Sequence, residues 1–241
     1  MGPFFCFIKK MSGITVCLSS AYLPPVSYFC CMMAADRVFV DGYEHYVKQT
    51  YRNRANIATA SGLMSLTIPV EHGKEGNVPI RDLKISEHGN WRHLHWQALQ
   101  AAYDKSPFFE YYADDFRPFY EQKEGCSLFD YNRRLQKLVC DLIGLDCRVE
   151  QTSHYVAEGE FVDLRNVITP KSRGVNCVAK KMYDCLAERD DRRGRYYQVF
   201  AERNGFMPDL SIVDLLFNMG PESLVVLNNH VESFRKILLC L

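Results

Sequence analysis

A short basic stretch in the first quarter of the chain holds the residues best suited to chemistry. It contains Lys48, Arg52, Asn53 and Arg54. Tyrosines are interleaved with these polar residues: Tyr43, Tyr46 and Tyr51. In an extended segment Arg52 and Arg54 project to the same side, because side chains alternate along a strand. Two guanidinium groups on one side could bind a phosphate or a carboxylate, and sugars or bases stack on tyrosine rings. The alternative is a solvated edge strand whose basic residues discourage aggregation.

The histidines of the stretch WRHLH form a second candidate. If this stretch is helical, His93 and His95 lie about 200° apart around the helix axis and cannot bind one metal ion together. The HExxH spacing of zinc enzymes is also absent, so we predict no metal site. One histidine could face a site while the other is solvated, and an imidazole near Arg92 could then carry a proton. The alternative places both histidines on a helix surface.

Charge and motif content exclude several classes of protein. The chain has 241 residues and a formal net charge of zero, which argues against a general nucleic-acid binder. The GxSxG, GxGxxG and GxxxxGK[ST] patterns are absent, so the usual signals of serine hydrolases, dinucleotide-binding proteins and P-loop enzymes are missing. The sequence predicts no particular cofactor.

The cysteines and the N-terminus indicate the compartment. There are ten cysteines, none with CxxC spacing, and several lie within apolar runs. Buried free thiols in a reducing cytosol explain this pattern better than a zinc site or a disulfide framework. The first residues do not fit a signal peptide, and no apolar run is long enough to cross a bilayer. We therefore expect a soluble, cytoplasmic protein, with Met11 as an alternative start to Met1.

The elements that position these residues begin with a βαβ unit. Residues 14–18 and 38–40 are typical of buried strands, and residues 26–35 form a short apolar helix between them. Because ligands of parallel sheets bind at the carboxyl ends of the strands, residues 19–22 and 41–45 are expected at one edge.

Later segments follow recognisable patterns. We predict a hairpin over residues 55–70 and strands at 78–86 and 148–152. Helices are predicted at 91–104, 107–121, 127–143 and 196–204, with two more starting at Ser211 and Pro221 and with Asp214 in a capping-box variant. Residues 153–174 are read mostly as loop, residues 177–184 are ambiguous, and the charged run 188–195 is expected to be an exposed loop.

The whole pattern predicts an α/β fold. An N-terminal mixed sheet with a βαβ start and a hairpin is followed by a mainly helical C-terminal half. We expect a single domain over residues 1–241, with a possible subdivision into a sheet-rich half, 12–145, and a mainly helical half, 146–241.

Several motifs together give a family resemblance. They are YLPPVSYF at 22–29, the Lys48…Tyr51-x-Asn53-Arg54 pattern, LTIPV at 66–70, WRHLH at 91–95, Tyr103-x-x-Ser106-Pro107-Phe108-Phe109, and LSIVDLLFNMGPE near the C-terminus. With these motifs the chain resembles the WbqC-like protein family of bacteria nearly end to end. It departs from the family pattern at Ser20-Ala21, where members often have Gln-Pro, and at Gln49, where they often have a basic residue.

The resemblance implies a role in cell-surface polysaccharide (O-antigen-like) biosynthesis. A transferase that moves a glycyl, aminoacyl or similar group onto a nucleotide-linked or lipid-linked sugar is one expectation. The alternative is a non-catalytic partner of other polysaccharide-assembly proteins, using the aromatic-rich stretch 108–120, or a small-molecule-binding protein.

Matching motif positions assigns the site residues. Lys48 and Arg54 would hold the anion of a phosphorylated or nucleotide-linked sugar, Asn53 a hydroxyl or carbonyl group, and His95 would be the general base. The remaining predicted substrate-binding residues are Arg92, Tyr22 and Tyr51.

Overall fold

A four-stranded parallel sheet lies at the centre of the fold. In this computed structural model, the described residues are 13–71, 78–122, 125–146, 149–152, 154–155, 161–171, 176–188 and 195–241. The strands, in spatial order, are β5 (Val149–Gln151), β2 (Arg37–Asp41), β1 (Thr15–Ser19) and β6 (Val162–Asp163).

The βαβ start is confirmed. Helix α1 (Val26–Ala34) connects β1 to β2, and the register runs from Thr15 beside Arg37 to Ser19 beside Asp41. The interior of β1 is buried on both faces, which explains why the strand reads as an apolar run without alternation. The carboxyl ends of β1 and β2 therefore meet at one edge, as predicted.

The hairpin is also confirmed and forms its own two-stranded sheet. Strands β3 (Arg54–Thr59) and β4 (Gly62–Thr67) pair antiparallel across a tight turn. Gly62 has a φ of 104°, a conformation that side chains disfavour. The predicted mixed sheet is thus divided in two, with antiparallel strand pairing confined to the hairpin and a main sheet that is parallel throughout.

The strand predicted at 78–86 is wrong. This segment contains a 3-10 turn, Ile80–Asp82, flanked by isolated bridges. Pro79 has no N–H to donate to a ladder, and the next amides bond to the loop after β2: Ile80 N to Glu44 O at 2.9 Å and Arg81 N to Gly42 O at 3.0 Å. The segment is held by the sheet edge and does not extend the sheet.

Helices make up most of the remaining described chain. They are α2 (Trp91–Tyr103), α3 (Phe109–Glu121), α4 (Leu128–Ile143), α5 (Cys177–Ala187), α6 (Ala201–Asn204), α7 (Ile212–Met219) and α8 (Ser223–Leu239). Helix α4 has the predicted ends, because Ser127 Oγ accepts a hydrogen bond from Asp130 N and Gly144 closes the helix with a φ of 76°.

Two helix predictions need correction. The helix expected at 196–204 is confined to Ala201–Asn204. The capping box proposed for Asp214 is wrong, because its carboxylate accepts hydrogen bonds from Tyr103, Tyr196 and Gln198. Burial raises the pKa of Asp214 to about 6, against the effect of these donors. Tertiary donors have replaced the local cap.

The predictions for residues 153–195 were right in one part and wrong in another. The ambiguous stretch 177–184 lies in α5, where Asn176 caps the first turn. The loop prediction for 153–174 missed β6. Most of the charged run 188–195, and the choice between Met1 and Met11, lie outside the described residues.

The second half of the chain completes the sheet of the first half. Strands β5 and β6 both follow residue 146 yet pair with β2 and β1. One cluster of buried apolar residues also contains side chains from both halves, among them Val16, Leu135, Leu164 and Phe217. We therefore propose that both halves fold as one domain.

The structure also shows how the cysteines are buried and whether any described helix could cross a membrane. None of the cysteines within the described ranges forms a disulfide, and Cys30 and Cys31 are fully buried in the core. Burial also raises the pKa of both thiols. Among the helices of the described ranges, none combines the length and apolar character needed to cross a membrane.

Candidate functional site

The segment 51–54 crosses the carboxyl edge of the sheet and leads into the hairpin. The carbonyl of Tyr51 accepts a hydrogen bond from Tyr22 N at 2.8 Å, directly after β1. The carbonyl of Arg52 accepts one from Asn132 Nδ2 on α4, also at 2.8 Å. The segment therefore connects the first strand, the hairpin and α4 through main-chain bonds, which fix its backbone.

Asn53 and Arg54 place the end of this segment against the base of the hairpin. Asn53 exchanges bonds with Ile68, through its carbonyl and through Nδ2, both at 2.8 Å. Arg54 is the first residue of β3 and lies opposite Thr67. The backbone of Thr67 also contacts His95 of α2. Arg54 and His95 thus each adjoin Thr67 at the base of the hairpin.

His95 is buried, whereas His93 is exposed, so the alternative that places both histidines on a helix surface does not hold. His95 Nδ1 lies 3.0 Å from the Tyr22 hydroxyl, which in turn lies 2.9 Å from the Tyr120 hydroxyl. Burial lowers the pKa of His95 to about 4, and the Thr67 backbone offsets only part of this effect. The imidazole is therefore neutral near pH 7 and hydrogen-bonded to the phenol of Tyr22.

Arg92 joins the start of α2 to the end of α3. Its Nη1 donates to Phe119 O at 2.7 Å and its Nη2 to Glu87 Oε1 at 2.9 Å, while the guanidinium lies over the Trp91 ring. These contacts satisfy most of its donors within the protein. The predicted substrate-binding role of Arg92 stays a prediction, and its visible role is to hold the two helices together.

Arg52 does not form a ligand-binding pair with Arg54. The hypothesis that both guanidinium groups lie on the same side of an extended segment is therefore wrong. The Arg52 side chain is buried, and Nε donates to Glu44 Oε1 at 2.9 Å while Nη2 bonds to Oε2. Nη2 also reaches the carbonyl of Arg165 at 3.3 Å. Burial raises the pKa of Glu44 to about 7, against the opposing effect of Arg52. Arg52 is a structural partner of Glu44.

A second charge network at the same edge was missed by the sequence reasoning. Arg165 Nη1 donates to Asp41 Oδ2 at 2.6 Å, and Arg165 Nη2 to Asp163 Oδ2 at 2.6 Å. Asp41 is fully buried and also accepts from Thr152 Oγ1 at 3.1 Å. Asp41 ends β2, and Asp163 ends β6. The signal was a charged residue at the end of each strand, and it was lost because β6 was read as loop.

Above Thr152 the sheet edge opens into a polar cavity of about 140 Å³. Its walls include Tyr43, Arg81 and Asp130. The guanidinium of Arg81 stacks on the Tyr43 ring. This cavity lies at the carboxyl ends of β2 and β5, where parallel sheets bind ligands.

The N-terminus of α1, unlike the polar cavity, is closed to a ligand by the chain itself. Asp209 Oδ1 accepts from Ser27 N at 2.9 Å, and Leu210 O accepts from Val26 N at 3.0 Å. A carboxylate of the chain itself therefore occupies the positive end of this helix, where a phosphate would otherwise be stabilised. The loop after β1 takes part in the site through Tyr22 and not through the helix terminus.

Arg54 and Lys48 differ from the paired arginines. Within the described ranges Arg54 has no carboxylate partner, and its Nε is buried without a hydrogen bond. Its charge acts on the half-buried phenol of Tyr46. Lys48 is exposed, and it has neither a hydrogen bond nor an ion pair with any residue that the structure describes.

Most of the buried side-chain polar atoms without a partner in the described residues lie on segment 51–54 or on the helices beside it. They are Arg52 Nη1, Asn53 Oδ1, Arg54 Nε, Trp91 Nε1 and Asn132 Oδ1. Buried polar atoms normally have partners, so such a concentration indicates a place where water or a ligand belongs. Asn132 is thus a further candidate that the sequence reasoning missed, because only the tertiary structure brings α4 to this segment.

No group of three or more His, Cys, Asp or Glu side chains suited to a metal ion occurs in the parts of the chain that the structure describes. The orphaned atoms are guanidinium, indole and amide groups, which suit a polar organic ligand better than a cation.

Comparisons with known proteins are consistent with the motifs. The model of the WbqC-like protein family matches residues 19–174. An uncharacterized protein of Mycobacterium tuberculosis, Rv1507c, is 30% identical over 222 residues, which cover 86% of this chain and 94% of that protein. No solved structure matches the chain.

Proposed function

The chain belongs to the WbqC-like protein family, and from this premise we propose that it is a transferase of cell-surface polysaccharide biosynthesis. Its substrate would be a phosphorylated or nucleotide-linked sugar, and the group transferred would be glycyl, aminoacyl or a similar acyl group. The cytoplasmic location expected from the free thiols belongs to the same proposal.

The observation that carries this proposal is that Arg54, within the described ranges, has no carboxylate partner. The neighbouring buried arginines each hold a carboxylate: Arg52 holds Glu44, Arg92 holds Glu87, and Arg165 holds Asp41 and Asp163. Arg54 lies among buried polar atoms that have no hydrogen-bond partner in the described residues. Its strand partner, Thr67, contacts the neutral imidazole of His95. A guanidinium left without its own carboxylate is suited to an anion from outside.

Each predicted residue then has a role. Arg54, with Lys48 of the exposed loop, would bind the phosphate of the nucleotide-linked sugar, whose amine or hydroxyl takes the acyl group from an activated acyl donor as the donor's leaving group departs. Asn53 Oδ1, which lacks a partner, would accept a hydrogen bond from a hydroxyl group. His95 would act as general base toward the attacking amine or hydroxyl. It is neutral at pH 7, but a pKa of about 4 makes it a weak base, so the proposal requires that bound substrate raise this pKa and that the Tyr22 hydroxyl release Nδ1.

The tyrosines and Arg92 would support this arrangement. Tyr22 orients the imidazole, and Tyr51 places Tyr22 through its carbonyl. Arg92 fixes the start of α2, on which His95 lies. Direct contact of these three residues with substrate is part of the proposal.

A thermal-shift panel of nucleotide sugars tests the proposal. A ligand at one hundred times its Kd stabilises the folded state by about 2.7 kcal/mol, which for a chain of this size raises Tm by roughly 5–10 °C. The shift is expected to disappear in Arg54→Ala and to return in part in Arg54→Lys. The control is Arg117→Ala, because Arg117 is an exposed arginine on α3 and should leave the shift unchanged.

The same panel distinguishes the alternatives. A shift followed by acyl transfer to the sugar, lost in His95→Gln, supports the enzyme, whereas a shift without product supports a binding protein. No shift with any nucleotide sugar, together with a stable co-purifying protein, would favour the non-catalytic role. The aromatic face of α3 gives that role little support, because Phe109, Tyr112, Phe116 and Tyr120 are buried in the core.

A further inference from the structure

A long cleft runs along α4, apart from segment 51–54, and shares Phe129 with the polar cavity at the sheet edge. It lies between this helix, β2 and β5, and its volume is about 640 Å³. We name it the α4 cleft, defined by an apolar floor of Val40, Phe129, Cys140, Leu145 and Val149 and by polar residues of α4 along its rim. None of its lining residues belongs to segment 51–54 or to α2.

The shape of the α4 cleft restricts its ligand. Lining residues extend from Phe129 to Gly144, and at 1.5 Å per residue this part of α4 is about 22 Å long. An elongated cleft with an apolar floor suits a single extended aliphatic chain. Its volume falls within the ordinary range for small-molecule sites.

The rim carries two cations, Arg133 and Lys137, and two carboxylates, Asp141 and Asp146, so their positions decide where a charged head group could lie. Arg133 and Lys137 line the cleft one helical turn apart. Both side chains are largely exposed, and their carboxylate partners, Asp130 at 3.8 Å and Asp141 at 2.7 Å, are exposed as well. Exposed pairs of this kind contribute little, so an incoming anion can take over the cation, most easily at the longer Arg133 contact.

Acidic residues at the far end set the orientation. Asp146 lies at the end of the cleft beside Leu145, beyond the C-terminus of α4. An anionic head group there would meet both this carboxylate and the negative end of the helix dipole. The favourable arrangement therefore has the anion at Arg133 and the apolar chain directed toward Leu145.

From these features we propose that the α4 cleft binds a single-chain amphiphile with an anionic head group, such as a medium-chain carboxylate. The apolar floor covers the chain, and Arg133 pairs with the head group. This inference goes beyond the proposed transferase function, and its test reads binding alone.

Isothermal titration calorimetry with laurate below its micelle concentration tests the inference on the full-length chain. We expect saturable binding of one laurate per chain. Dodecyltrimethylammonium, which has the same chain and a cationic head, should bind more weakly. No saturable heat, binding of the cation as strong as that of laurate, or association only with laurate-containing vesicles would each overturn the proposal.

Variants locate the binding. Cys140→Phe fills the floor and should abolish laurate binding, and Val149→Phe provides the same test from the strand side if the first variant does not fold. Equal affinity of wild type and a folded filling variant would overturn the proposal. Arg133→Glu should weaken laurate binding about fivefold or more while leaving dodecanol binding unchanged.

The chain offers a matched control for Arg133→Glu. Arg117 on α3 also pairs with an aspartate three residues earlier, Asp114, at 3.4 Å. Arg117→Glu makes the same charge change outside the cleft and should leave laurate affinity unchanged. An equal loss in both variants would mean that net charge, and not the cleft, governs binding, and the proposal would fail.

Discussion

Arg52 and Arg54 are two residues apart, yet they belong to regions of opposite character. Arg52 is 1% exposed and forms a two-pronged pair with Glu44. Arg54 is partly exposed and, within the described ranges, has no carboxylate. A basic residue beside a sheet edge therefore indicates a ligand only when no carboxylate of the protein already pairs with it.

Stability should separate these two arginines most strongly. Arg52→Ala leaves the buried carboxylate of Glu44 without its partner, so we expect a loss of roughly 3–5 kcal/mol in the free energy of unfolding. Arg54→Ala removes no ion pair and should cost less than about 1 kcal/mol. Urea denaturation at pH 7 measures both values. Similar losses in the two variants would abolish the distinction on which the site assignment depends.

The two regions should also respond to pH in opposite directions. Burial lowers the pKa of His95 from 6.5 to about 4, so the unfolded state binds more protons between these values and acidification destabilises the fold. The His95 contribution, complete above pH 6.5, should fall by roughly 3 kcal/mol on acidification to pH 4. The raised pKa of Glu44 acts in the opposite sense, with its stabilising contribution present below 4.5 and lost as pH rises toward 7.

Two variants isolate these contributions. His95→Gln should remove the loss on acidification, and Glu44→Gln should remove the loss on going from pH 4.5 to 7. Urea unfolding across pH 4–8 measures the slopes. If His95→Gln keeps the wild-type slope between pH 6.5 and 4, the imidazole is not buried in its neutral form.

The smallest expected effect concerns the phenol next to the imidazole. Tyr22→Phe removes the hydroxyl that lies between His95 Nδ1 and the Tyr120 hydroxyl. Each of these two hydrogen bonds contributes about 1 kcal/mol, so the variant should lose about 2 kcal/mol of stability, and it should also raise the pKa of His95 because the neutral ring loses its donor. NMR titration of the imidazole measures this shift, and Tyr112→Phe, on the neighbouring helix, serves as the control. An unchanged pKa would mean that Tyr22 does not support the neutral state.

Local patterns predicted the first half of the fold because they carry their own physical cause. The apolar runs around α1 gave the parallel pair, and Ser127 with Gly144 marked both ends of α4. Predictions failed where a distant group outcompeted the local one. Pro79 and the loop after β2 prevented a strand, and Tyr103 with Tyr196 took the carboxylate that was expected to cap α7.

The pairing hypothesis for Arg52 and Arg54 failed for a simpler reason. Alternation of side chains applies within a strand, but β3 begins only at Arg54, and residues 51–53 form a turn. The rule therefore does not apply to Arg52, whose side chain turns toward the edge of the main sheet and bonds to Glu44.

By itself the sequence determined the family, the βαβ start, the hairpin and the residue types available for chemistry, because periodicity, turn residues and motif spacing are local properties. Only the tertiary structure decided which charges are matched. Ion pairing depends on contacts such as Arg165 with Asp41, across more than a hundred residues of chain, and no local pattern specifies them. The unmatched groups around Arg54 became visible only after those pairs had been accounted for.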